Sequence, residues 1–160
     1  MPSYFKKKRA PEEALTPDEA LLKLEHFCAY RERCPQEVRR KLAELGMHGE
    51  TAGQIYQVLE NDGFFNEVRF AEAYAGGKFR INQWGRVRIR LELQQRAISP
   101  AVVQQALALI DESAYLQTLQ ELLEKKRQQL GPEAGPQDKA KMAAALIRAG
   151  FEPELVFRYV

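Results

Sequence analysis

The strongest chemical signal in this sequence is a run of cations. Between Lys78 and Arg96, six basic residues meet a single acid, Glu92. Lys78, Arg80, Arg86, Arg88, Arg90 and Arg96 are therefore candidate contacts to phosphates or acidic side chains if they share a face, and Trp84 stands among them. Arg88, Glu92 and Arg96 follow one another at helical i,i+4 spacing. That strip reads as ion-paired surface, contributing about 0.3–0.5 kcal/mol per pair. Arg86 and Arg90 have no acid three or four positions on, so both are expected to be unpaired. Trp84 immediately precedes Gly85, where its ring either staples two helices together or offers a face to a partner. The further basic groups, Lys125-Lys126-Arg127 and Lys139 with Lys141, lie near Glu121 and Glu124 and read as solvated surface.

Catalytic patterns are missing from the sequence. Gly76-Gly77 lacks the further glycine or Gly-Lys-Ser/Thr that would cradle a phosphate. His26 and His48 form no His-x-x-x-His motif, and the acids are scattered over expected helix surfaces. Cys28 and Cys34 fit neither a disulfide framework nor a C-x-x-C pair; Cys28 reads as a small buried hydrophobe. Phe64, Phe65, Phe70, Tyr74 and Phe79 read as packing residues rather than a base-stacking platform. No cofactor, metal or enzymatic activity is expected.

The elements that must position the cations fit in 160 residues and 18.3 kDa, enough for one ordinary domain or a row of small repeats. The longest apolar run is six residues, Met142 to Ile147, so no membrane span is expected. The basic cluster Lys6-Lys7-Lys8-Arg9 is followed by Ala10-Pro11-Glu12-Glu13 instead of an apolar core, and a cytoplasmic location is expected. Net charge is +4 over residues 1–10, −4 over 11–20, −1 over 21–63, +4 over 64–110 and −1 over 111–160. The middle is the basic part.

Helix signals dominate. Thr16-Pro17-Asp18-Glu19 combines an N-cap, a first-turn proline and an acid three residues after the cap, predicting a helix over about 17–33. Pro35 opens a second, ending near Gly46, and Thr51 is expected to start a third that reaches Asn61-Asp62-Gly63. The pattern recurs. Val38, Leu42 and Met47 align with Ile89, Leu93 and Ile98, then with Met142, Leu146 and Phe151, at offsets of 51 and 53. First helices are expected at about 66–82 and 113–130. The reading is all-α: a charged N-terminal tail over 1–16 and stacked three-helix repeats over 17–63, 64–111 and 112–160, with neighbouring repeats sharing their cores.

One stretch argues for a strand. Val87 to Leu93 alternates apolar and polar residues at period two. Its repeat counterparts do not alternate and no partner strand exists, so it is read as a helix. On a helical wheel Ile89 and Leu93 oppose Val87 and Leu91, which predicts a helix clamped between two packing surfaces.

Arg69-Phe70-Ala71-Glu72-Ala73-Tyr74, Lys78-Phe79-Arg80, Trp84-Gly85 and Arg88 to Leu93, closing at Ile98, together resemble the central motif of the RecX family, bacterial regulators of the RecA recombinase. Arg148-Ala149-Gly150-Phe151 resembles that family's closing motif, and the resemblance spans about residues 18–160. Two positions depart from it: Asn66-Glu67-Val68 replaces a frequent acidic pair, and Ala97 replaces a frequent glycine. The resemblance implies three tandem three-helix repeats in an elongated, curved body, with no catalytic residue. It further implies a protein that binds RecA–single-stranded-DNA filaments and limits their extension, ATPase, strand exchange and co-protease activity, modulating recombination and the SOS response; a monomer is expected. Double-stranded DNA is at most a weak ligand on this reading, and the basic face of the middle repeat is where contact is expected. Two alternatives stay open: a helix-turn-helix reader of duplex DNA, and a helical-repeat scaffold for an acidic protein. Against the first, Pro100 to Ile110 carries no arginine or lysine.

Overall fold

A computed structural model describes residues 14–160, so most of the proposed tail lies outside the described residues. Among the described residues there are nine helices and no strand. They group in threes: α1 (Pro17–Tyr30), α2 (Pro35–Glu44) and α3 (Gly49–Asn61); α4 (Glu67–Asn82), α5 (Arg86–Gln95) and α6 (Pro100–Ala108); α7 (Glu112–Leu130), α8 (Pro136–Arg148) and α9 (Pro153–Tyr159). No described helix is long and apolar enough to cross a membrane.

Local chemistry sets the helix ends. The Thr16 hydroxyl accepts the Glu19 N–H at 3.2 Å, and Asp111 accepts the Ala114 N–H at 2.9 Å. Prolines occupy the first turn of α1, α2, α6, α8 and α9. The first helix stops at Tyr30 rather than 33, because Arg31 is already extended. The third begins at Gly49, not at Thr51, since the His48 carbonyl receives the Ala52 N–H and so opens the helix. The alternating stretch is helical, as expected.

Two compact units divide the chain between Asn66 and Glu67. In the first, Ala20, Leu24 and Cys28 of α1 meet Val38 and Leu42 of α2 and Ile55 and Leu59 of α3. Each fully buried leucine there contributes about 1.5–3 kcal/mol. The second unit holds α4 to α9. Phe70, Ala71, Ala75 and Phe79 line the buried side of α4, facing Ile89 and Leu93 of α5 and Val103 and Leu107 of α6. Tyr115 joins this core to the next: its ring centre lies 5.7 Å from that of Phe79 and 5.2 Å from that of Phe151.

The expected two-sided clamp on α5 closes only over its first turn. Ile89 and Leu93 are fully buried and Val87 is half-buried, but Leu91 is 54 % exposed. Contact with the third repeat is made through Gly85 to Arg88, and Leu91 lies one turn beyond it.

Candidate functional site

The N-cap of the basic helix α5 is a glycine, Gly85, which has no side chain to cap the free N–H groups of the first turn. The third repeat supplies the acceptors instead. The Gly85 N–H donates to the Ala149 carbonyl at 2.9 Å, the Arg86 N–H to the Tyr115 hydroxyl at 3.1 Å, and the Val87 N–H to the Gly150 carbonyl at 2.9 Å. The two backbones nearly touch. A Cβ on Gly85 would stand 2.2 Å from the Gly150 carbonyl carbon, and Gly150 itself has a φ of +104°. Both positions require glycine for this crossing.

Arg86 is spent on the same junction. Its Nη1 lies 2.7 Å from Glu112 Oε2, its Nη2 2.5 Å from Glu152 Oε2, and its guanidinium 3.9 Å from the centre of the Tyr115 ring. The Tyr115 hydroxyl, accepting from the Arg86 backbone, donates in turn to Glu152. Burial works against the guanidinium's charge, but hydrogen bonds to Glu112 and Glu152 outweigh it and hold its pKa above the ordinary value. Burial, then the bond to Glu152, pushes the Tyr115 phenol upward. The expectation that Arg86 is unpaired is thus corrected: its carboxylates come from another repeat, where helical spacing within α5 cannot reveal them.

Four of the expected residues do converge, in a ladder of alternating cations and rings. Arg96 lies 4.8 Å from the centre of the Tyr74 ring, Lys78 Nζ 5.4 Å from Tyr74 and 4.8 Å from Trp84, and Arg88 3.9 Å from Trp84. Each such contact contributes about 0.5–1 kcal/mol when partly exposed. Glu92 pairs with Arg96 at 3.0 Å, as its spacing foretold, but no Glu92–Arg88 pair forms. Among the described residues Lys78 and Arg88 have no carboxylate within ion-pair distance. Tyr74, read from sequence as packing, is the missing rung. Its i,i+4 spacing to Lys78 was the available signal.

The remaining cations stand apart. Two residues from Lys78 on α4, Arg80 projects in a different direction: it folds back over Gly76 and lines a groove with Glu72 and Asp111. Arg90 is exposed and has no ion pair among the described residues. Arg127 pairs with Glu124 at 3.7 Å and donates to the Tyr159 carbonyl at 2.5 Å, in keeping with an ordinary surface there. No group of three potential metal ligands occurs among the described residues.

Comparison with known proteins adds to this geometry. Residues 66–107 match the family described as RecX, second three-helix domain, and residues 113–160 its third three-helix domain. Regulatory protein RecX of Amycolatopsis mediterranei (strain U-32) is 25% identical over 154 residues, covering 94% of this chain and 88% of that protein. The same-named protein of Halorhodospira halophila is 30% identical over 130 residues, covering 80% and 78%. That of a Geobacillus species is 26% identical over 133 residues, and the chain spans only 49% of its length. The crystal structure of RecX from Lactobacillus salivarius superposes with a TM-score of 0.82 at 20% identity, covering 89% of this chain and 93% of that one.

Proposed function

Because this chain belongs to the RecX family of regulatory proteins, we propose that it acts without catalysis, in the cytoplasm, by binding RecA–single-stranded-DNA filaments and restraining their extension and ATPase activity. The observation that carries this reading is the ladder. Lys78 and Arg88 are held on Trp84 with no carboxylate to neutralise them, and Arg90, elsewhere on α5, is exposed and without an ion pair among the described residues. A face of that kind attracts polyanions at distances of a Debye length, about 8–10 Å, and fits a phosphate-bearing filament. Arg80 serves the periphery of the contact, and Arg86 serves it indirectly by fixing the start of α5.

The test is RecA ATPase on single-stranded DNA with the protein present at substoichiometric amounts. Wild-type protein slows hydrolysis, whereas Arg88→Glu with Arg90→Glu weakens inhibition by about tenfold while helicity by circular dichroism stays unchanged. Undiminished inhibition by that variant would remove the basic face from the mechanism.

A further inference from the structure

The second helix of each repeat starts in one of two ways. In the first repeat the start reads Cys34-Pro35-Gln36-Glu37, and in the third Gly135-Pro136-Gln137-Asp138. Proline brings no N–H to satisfy, and the acid three positions after the cap reaches back to it. Glu37 Oε1 accepts the Cys34 N–H at 3.3 Å, and Asp138 Oδ2 accepts the Gly135 N–H at 3.1 Å. Both helices complete their own first turns, with an acid where the partial positive charge of a helix start favours one.

In the second repeat the same four positions read Gly85-Arg86-Val87-Arg88. Proline and acid are both replaced, so the first amide protons need outside acceptors and two cations stand where a helix start disfavours them. The third repeat makes good the deficit: Ala149, Tyr115 and Gly150 accept the protons, and Glu112 and Glu152 neutralise Arg86. It depends on the second in return, because its fully buried Tyr115 is covered by Phe79 of α4 as well as by Phe151. The first repeat builds its corresponding network from its own residues. Arg33 Nε donates to the Phe27 carbonyl at 2.8 Å, Glu37 lies 2.6 Å from Arg31, and the Tyr56 and Phe65 ring centres are 4.9 Å apart.

We propose that the chain opens in two steps, the first repeat by itself and the second and third only together. The first repeat opens more readily, since a body of roughly 60 residues buries only about 60% of the surface its unfolded chain exposes and a larger one buries more. The full chain carries a reporter for each step: both cysteines, Cys28 and Cys34, are buried in the first repeat, and the single tryptophan, Trp84, lies in the second. In urea, reaction of the thiols with dithionitrobenzoate precedes the change in Trp84 emission, with midpoints about 1 M apart. Native-state hydrogen exchange then follows each helix. The slowest amides of α1 to α3 exchange about tenfold or more faster than those of α5 and α8, which open with a common equilibrium constant. Tyr115→Phe removes the acceptor of the Arg86 N–H and the donor to Glu152. It speeds exchange in α5 and α8 alike by about tenfold and leaves thiol reactivity unchanged. Val38→Ala, in the first core, speeds the thiol reaction by about tenfold or more and leaves the Trp84 transition in place, even where the first repeat no longer folds. A Val38→Ala change that moves both midpoints equally overturns the proposal. So does exchange in α5 that follows α1 to α3 rather than α8.

Discussion

Arg86 and Arg88 stand two positions apart on one short helix and are partnered in opposite ways. Arg86 is enclosed by two carboxylates and a phenol from the following repeat, whereas Arg88 rests on Trp84 with no carboxylate beside it. The difference shows how a basic stretch divides between charges neutralised inside the fold and charges left without a carboxylate. A cation with fixed acidic partners has its charge already satisfied, while one parked on a ring stays available to an anion.

Three measurements would break or sharpen that contrast. The largest effect is expected from Gly85→Ala, because the new methyl would meet the Gly150 backbone at 2.2 Å. A loss of about 3 kcal/mol is expected in urea unfolding of the full chain. A loss under 1 kcal/mol would mean that the crossing relaxes freely and does not hold Arg86 in place. Next, Arg86→Ala leaves Glu112 and Glu152 without their cation at a site where Arg86 and Glu152 are only 21% and 24% exposed. It should cost about 2–3 kcal/mol, against about 0.5–1 kcal/mol for Arg88→Gln. Equal losses would abolish the distinction. The smallest effect is a gain. Ala97 has a φ of +56°, whereas the matching residues of the first and third repeats are Gly46 and Gly150. Ala97→Gly should stabilise by about 0.5–1 kcal/mol and leave oligonucleotide binding unchanged; altered binding would show that stability and recognition are not separate here.

Helices and repeat register were legible in the sequence because they depend on near neighbours. Thr16-Pro17, Pro35 and Gly46 act within a turn of where they stand, and the Glu92–Arg96 pair follows from spacing alone. What depends on distant residues was not legible. Glu112 and Glu152 lie one or more helices beyond Arg86, so periodicity within α5 left that arginine looking free. Leu91 looked buried for a similar reason: its pattern matches that of Val87, but the neighbouring repeat reaches only the first turn. The ladder was half-legible. Lys78, Trp84, Arg88 and Arg96 stood out as charge and ring, but only the packing of α4 against α5 draws Tyr74 among them and leaves Arg80 outside.

The capping of α5 by Ala149, Tyr115 and Gly150 orders events during synthesis. The basic helix α5 leaves the ribosome before the carbonyls that receive its first amide protons have been translated. Until the third repeat emerges, the nascent chain carries its cationic segment with an unfinished start. Residues as far as Gly150 must be made before the first turn of α5 is fully satisfied.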